Sequence, residues 1–379
     1  MFKSTRSSLE ARHLRTILIV VVLTALYVVS GFRLFGSLHS ADKNLVVVTM
    51  GGELGNIQES TIEDHLEDAD YAHDVVWAVN VQSHTALYAQ IAADNVVWDV
   101  ITLEAAHAIR ACDRGWISPI DISMFEYGSD GSDPNADFVA ESLSRCAIGS
   151  MVWSLVSSNH CKKSNDPYTA RDFFDLANIP GRRGLPRTPK GTLEWALYAD
   201  GVSPADIYEE LGTSAGLERA FGKLDSIRND VIWWETGSQA AQLVIDGQVA
   251  MGLAPSARIV TAHFTDSPSL CIQWSGQIRQ ADVWAIPSGS KNQAAATEFL
   301  NIATTAAAQA DVSRKIPYAP ARQSAVQLVG TSKLIGDQVT DWLPTSPKNS
   351  VEVIAVDATF WADNIDALTP VFYAWLESG

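Results

Sequence analysis

The sequence predicts an α/β fold in two lobes, and three observations carry that expectation. Between residues 45 and 121, short apolar β-branched runs alternate with helical patterns. That order makes right-handed βαβ crossovers and a parallel sheet covered on both faces. A strand–helix–strand order returns at residues 231–254, and a chain of 379 residues is long enough for two cores.

Taken in order, the first strand is expected at 45–50, breaking at Gly51-Gly52, with a helix at 57–66 and a second strand at 74–79. A helix at 86–94 places Leu87 and Ile91 on an apolar face and Gln90 and Asp94 on a polar one. A third strand at 98–103 leads into a helix at 105–111. In such sheets ligands bind beyond the carboxyl ends of the strands, which gathers Gly51, Gly52, Glu53, Asn80 and Glu104 around one crevice. The turn-rich stretch 127–137 reads as a loop. It shares composition with a calcium loop but lacks the spacing and the closing Glu, so no metal is expected.

The run 148–156 reads as a buried strand, and the polar segment 157–166 as the chain leaving one lobe for another. Helices are expected at 172–177, 192–198, 205–210 and 215–228, the last with Leu217, Phe221, Leu224 and Ile227 on one face. Residues 180–189 read as a Pro/Gly/Arg loop between the first two. A strand at 231–234, a turn at 235–238, a helix at 240–245 and a strand at 249–254 follow, with Arg258 in a loop after that strand. The strand at 281–287 stops at Pro287, and helices at 294–303 and 306–314 come next. The loop 316–320 is stiffened by two prolines. A closing helix at 359–376 should be kinked or interrupted by Pro370.

The net charge is −17, and residues 1–41 hold five Lys/Arg against one acid, so the rest carries 22 bases and 43 acids. A surface that acidic repels phosphate backbones, so no nucleic-acid partner is expected. Residues 1–15 are basic and 17–32 almost purely apolar, the pattern of an export signal. Retention as a single anchor is the alternative, since 31–38 extends the apolar span. Either way the body meets an oxidising compartment, which suits four cysteines. Four allow three pairings. Cys112–Cys146 is the favoured staple, leaving Cys161 and Cys271 as the other pair. None has CxxC spacing, so neither a zinc site nor a redox motif is expected.

There is no HExxH, P-loop or strand-following G-x-G-x-x-G, and the eight histidines lie scattered. No catalytic residue and no cofactor is therefore expected. Glu104 either faces the crevice or caps the next helix. Asp282 either faces it or pairs with Arg279. Arg258 suits a carboxylate ligand or a plain surface. Tyr318, fixed between prolines, should point into a site. Trp153, Trp233, Trp234 and Trp284 stand in or beside strands, where Trp is usually core.

At Asp282-Val-Trp-Ala-Ile-Pro, Lys291-Asn-Gln-Ala-Ala-Ala-Thr-Glu-Phe-Leu and Ile316-Pro-Tyr-Ala-Pro, the chain resembles bacterial extracellular solute-binding proteins of ABC importers, in the spermidine/putrescine-binding branch. Asn95-Val-Val-Trp-Asp-Val, Gly191-Thr-Leu-Glu-Trp-Ala-Leu, Val231-Ile-Trp-Trp-Glu-Thr-Gly-Ser-Gln, Asp246-Gly-Gln-Val-Ala-Met-Gly and Trp361-Ala-Asp-Asn extend the likeness across nearly everything after residue 42. The resemblance implies the type II periplasmic binding protein fold, with parallel-rich sheets in each lobe and crossing hinge strands near 152–155, 278–282 and 343–346. It implies one lobe of 42–152 plus 281–344 and another of 153–280 plus 345–379, with 1–41 as signal peptide or anchor.

It further implies a periplasmic monomer that binds a small amine-bearing, polyamine-like solute and delivers it to an inner-membrane ABC permease, without enzymatic activity. In polyamine binders acids grip ammonium groups and aromatic rings sandwich the methylene chain. Asp282 and Tyr318 match such positions and Glu104 faces the ligand. Gly51, Gly52, Glu53, Trp153, Ser154, Glu235, Ser256 and Arg258 complete the expected contact set. The chain departs from the pattern at Met50, Pro255 and Gln280, which replace aromatics, and at Thr188 and Gly191, which replace two acids of the second lobe. Two rivals share the fold: a membrane-anchored sensor, and a hydrolase or transferase that borrowed it.

Overall fold

The computed structural model describes residues 44–80, 83–161, 168–336 and 338–378. The export or anchor segment at 1–41 and part of the polar segment at 157–166 lie outside these residues. The described residues divide into two compact units, 44–45 with 72–76 and 46–71 with those from 77 onward. The described part of the first is the opening of two strands, β1 (Asn44–Thr49) and β2 (Asp74–Val79).

The second unit carries the two-lobed periplasmic binding protein fold. Its strands continue with β3 (Val100–Glu104), β4 (Ala147–His160), β5 (Arg183–Pro186) and β6 (Val231–Trp234). After these come β7 (Met251–Pro255), β8 (Leu270–Ala285), β9 (Ala319–Pro320) and β10 (Val353–Ala355). They lie in the order β2-β1-β3-β8-β4-β7-β5-β6, with β10 on β8 and β9 on β4.

The two long strands explain the two lobes. β4 and β8 pair antiparallel along nearly their whole length, from Ala147↔Ala285 at one end to His160↔Leu270 at the other. β3 adds to β8 at the first end, through Ile101↔Ala285 to Glu104↔Asp282. β7 adds to β4 towards the second, through Leu155↔Pro255 to Ser158↔Gly252. Beyond them the wings are parallel, β1 on β3 at one side and β5 between β6 and β7 at the other. Parallel wings therefore flank an antiparallel centre that runs from one lobe into the other.

Each wing buries its own core. One gathers Val48, Leu87, Ile101, Leu103 and Val283. The other gathers Phe173, Leu193, Trp195, Leu224, Leu253, Trp361 and Phe372. At roughly 1.5–3 kcal/mol per fully buried large apolar side chain, each cluster is a folding core in its own right. The closing helix Ala358–Glu377 docks through Trp361 and Phe372, both 0% exposed.

Several expectations change. Ser157, Ser158 and Asn159 do not leave the strand but continue β4, buried, because Ser158 bonds back to the Gly252 carbonyl at 3.2 Å. The expected loop 180–189 contains β5, whose Arg183 is fully buried. Its guanidinium bonds to the carbonyls of Phe173 at 2.6 Å, Gly181 at 2.5 Å and Ile179 at 2.7 Å, which offsets burial of the charge. Arg258 lies in the helix Ser256–Thr265, not in a loop. The late strand begins at Leu270, eleven residues before the expected 281. Pro370 does not interrupt its helix, standing on an exposed face. The loop 127–137 closes on the short helix Pro134–Asp137, where buried Asp137 pairs with buried Arg322 at 2.9 Å. No strand occupies 343–346; β10 instead lies parallel to β8 at Gln277–Arg279.

Both cysteine pairs are bonded. Cys112–Cys146, with Cα atoms 5.7 Å apart, ties the end of the helix Ala105–Asp113 to the start of β4. Cys161–Cys271, with Cα atoms 5.3 Å apart, ties the far end of β4 to the start of β8. Among the described residues no helix is long and apolar enough to cross a membrane, and no group of three His, Cys, Asp or Glu could hold a metal ion.

Candidate functional site

The register of the central strands places two carboxylates side by side. Glu104 ends β3 directly opposite Asp282 of β8, and directly opposed residues of an antiparallel pair share a face. Asp282 is 4% exposed and accepts a bond from Trp153 Nε1 at 3.2 Å. Burial, then the neighbouring Glu104 carboxylate, pushes Asp282 up to about 7, against the Trp153 bond and Lys190. Arg279 does not pair with it, being held by Glu141 at 2.6 Å.

Glu104 behaves in the opposite way. Burial would raise it, but Lys190, with His107 and His84, brings it down to about 2. It occupies the N-cap of the helix Ala105–Asp113 without a side-chain capping bond, because its carboxylate is spent on the Lys190 ammonium. Close by, His84 and His107 stack with ring centres 4.0 Å apart. Burial dominates for both imidazoles, lowering His84 and bringing His107 to about 4, so the pair is neutral at pH 7.

Lys190 reaches Glu104 because of a kink. The helix Pro189–Ala199 is broken at Lys190 (φ −65°, ψ 129°) and Gly191 (φ 87°, ψ −36°). A side chain at Gly191 would be strained by that φ and would meet Leu155 Cδ1 at 2.6 Å. Buried Glu194 holds the bend, accepting from Gly191 N at 2.7 Å, Trp361 Nε1 at 2.7 Å and the Tyr208 hydroxyl at 3.1 Å. Glu104, Trp153, Gln280, Lys190, Trp234 and Glu235 are among the residues lining a cavity of about 300 Å³.

The other end of the site is basic. Arg258, in the first turn of Ser256–Thr265, is half-buried and makes no ion pair among the described residues. A side chain placed on Gly52 would come 4.0 Å from its Nη2. Gly51 (φ 75°) and Gly52 (φ 69°) open the helix Gly52–Asp68, so the Arg258 guanidinium stands beside a helix N-terminus. That combination suits an anionic group. Tyr318 feels the charges of both: its hydroxyl is pushed up to about 12 by burial first, then Asp282, with Arg258 opposing and Glu53 adding.

The expected residues therefore divide. Glu104, Asp282 and Trp153 come together in one group, Gly51, Gly52 and Arg258 in another, and Tyr318 feels Asp282 and Arg258. Glu53 stands at the same helix start but is exposed. Ser154 and Ser256 are fully buried at the crossing; the Ser154 hydroxyl donates to Gln277 at 2.6 Å, and its backbone N–H to Ser256 Oγ at 3.4 Å. Glu235 is exposed and pairs with Arg187 at 2.9 Å. Of the strand tryptophans, Trp284 is core at 1% exposure, and Trp233 packs edge-on against Phe372. Sequence reasoning missed Lys190, Glu194 and the His84–His107 stack. Only the departures at Thr188 and Gly191 hinted that this loop of the second lobe is rebuilt.

A family model described as bacterial extracellular solute-binding protein matches residues 67–342. The Gamma-aminobutyric acid-binding protein of Pseudomonas aeruginosa is 34% identical over 355 residues, 92% of this chain and 97% of that one. The solved Atu4243-GABA receptor superposes with a TM-score of 0.76 at 27% identity, covering 89% of this chain and 98% of that one. The PBP MotA from A. tumefaciens B6, in complex with glucopine, superposes at 0.74 with 25% identity, over 88% and 99%.

Proposed function

We propose, for a chain that belongs to the bacterial extracellular solute-binding proteins of ABC transporters, that its solute is a small ω-amino acid such as γ-aminobutyric acid. Its carboxylate rests on Arg258 and its ammonium on Asp282, with Tyr318 and Trp153 against the methylene chain. The observation that carries this reading is the polarity of the cleft. An arginine without an ion-pair partner among the described residues stands at one end and a proton-holding carboxylate at the other, and one tyrosine feels both. Its similarity to the Gamma-aminobutyric acid-binding protein and to the Atu4243-GABA receptor supports it. A polyamine is less well served, because Arg258 would face an ammonium where it suits a carboxylate.

In this reading the protein acts as an exported monomer. Its lobes divide near residues 152, 281 and 344, it passes its solute to a permease, and it makes or breaks no bond.

Titration calorimetry with 4-aminobutanoate tests the proposal. Wild type should bind it, and Arg258→Gln should weaken binding by about 100-fold, the value of two charge-assisted bonds at roughly 1.5 kcal/mol each. Equal affinity in the two proteins, or binding of neutral sugars instead, would overturn it.

A further inference from the structure

The carboxylate pair Glu104–Asp282 is the natural seat for two ammonium groups, yet this chain fills half of it. Lys190 crosses from the β5–β7 side and bonds to Glu104. Three further cations close to this end are engaged elsewhere, Arg110 with Asp366 at 2.5 Å, Arg187 with Glu235 at 2.9 Å and Arg279 with Glu141 at 2.6 Å, while Arg258 makes no ion pair among the described residues. The placement of Lys190 is built rather than incidental. It depends on a left-handed Gly191 that admits no side chain, and on the Glu194 carboxylate that fastens the bend.

We infer that Lys190 is a specificity-determining residue: a resident ammonium that occupies the seat of a second ligand cation and restricts the cleft to solutes bearing one. With Lys190 on Glu104, the chain leaves a single carboxylate, Asp282, for the ligand. A diamine long enough to reach both acids would bring its second ammonium against that of Lys190, and like charges at contact repel. The same resident cation balances Glu104 when a zwitterion is bound. This inference rests on the reading that Asp282 receives the ligand's ammonium.

The test compares wild type, Lys190→Met and Lys190→Arg by calorimetry, each titrated with 4-aminobutanoate and with 1,4-diaminobutane. Cooperative thermal unfolding checks that each variant is folded. Lys190→Met should gain at least tenfold in diamine affinity and move the diamine-to-amino-acid preference by at least 100-fold. Lys190→Arg, which keeps the charge, should stay near wild type. An unmoved preference in folded Lys190→Met overturns the inference. So does loss of both ligands, which would make Lys190 a direct or structural contact. Should Lys190→Met fail to unfold cooperatively, Lys190→Gln replaces it under the same criteria. Failure of the amino-acid reading appears separately, as absence of 4-aminobutanoate binding to wild type, and the diamine gain of the variant is still read.

Discussion

At Asp282, burial and the neighbouring Glu104 carboxylate work in the same direction, and together they hold its proton up to about 7. Because the folded value is raised, the folded chain binds an extra proton between the ordinary carboxylate range and about 7. Its stabilising effect is complete below that range and is lost as pH rises through 7. A ligand ammonium reverses the preference, since it needs the ionised form. Affinity for 4-aminobutanoate should therefore fall as pH drops from 8 to 6, by up to about tenfold per unit below 7. In Asp282→Asn affinity should be weaker throughout and the pH dependence flat, as calorimetry across pH would record. Asp282 and Tyr318 were singled out in the sequence, Asp282 as the opening of a strand and Tyr318 by its flanking prolines, although Asp282 in fact lies within β8. Lys190 was not, because a Pro-Lys-Gly triplet carries no periodicity, and its meaning comes from an acid 86 positions away.

Among the elements, those with a strong local pattern were readable and those held by distant partners were not. The β-branched 231–234 segment is a strand both in pattern and in fact. Arg183-Gly-Leu-Pro has no such signature and becomes β5 only because β6 and β7 supply its hydrogen bonds and nearby carbonyls take its guanidinium. Ser157 and Ser158 read as the chain leaving one lobe for another, yet they continue β4, buried by pairing with β7 and β8. The two disulfides bracket this long strand. Removing Cys112–Cys146, which closes a 34-residue separation, should cost about 3–4 kcal/mol on the loop-entropy model. Removing Cys161–Cys271, at a separation of 110, should cost about 4–5 kcal/mol. Urea unfolding of the Cys→Ser pairs under non-reducing conditions measures both, and equal or negligible losses would contradict the ranking.

At the scale of the whole molecule, the antiparallel β4–β8 ladder joins two separately packed cores, and the candidate cleft draws on both sides of it. A solute that binds only the folded chain raises its stability by mass action. 4-Aminobutanoate at one hundred times its dissociation constant should add about 2.7 kcal/mol, or roughly 3–5 °C in Tm. Scanning calorimetry should record that shift in wild type and lose most of it in Arg258→Gln at the same ligand concentration.

What the sequence determined alone was the alternation of strand and helix, because hydrophobic period and turn residues act over a few positions, and, through its resemblance to a family, the class of protein. It also brought Gly51-Gly52 and Glu104 to a helix start and a strand end. Tertiary structure decided which acid is paired and which is free, that the Arg258 guanidinium stands without an ion partner among the described residues, and that Lys190 enters the cleft. Those outcomes depend on register between strands far apart in the chain and on the competition of charges for one another in a buried space, and neither is written in any local run of residues.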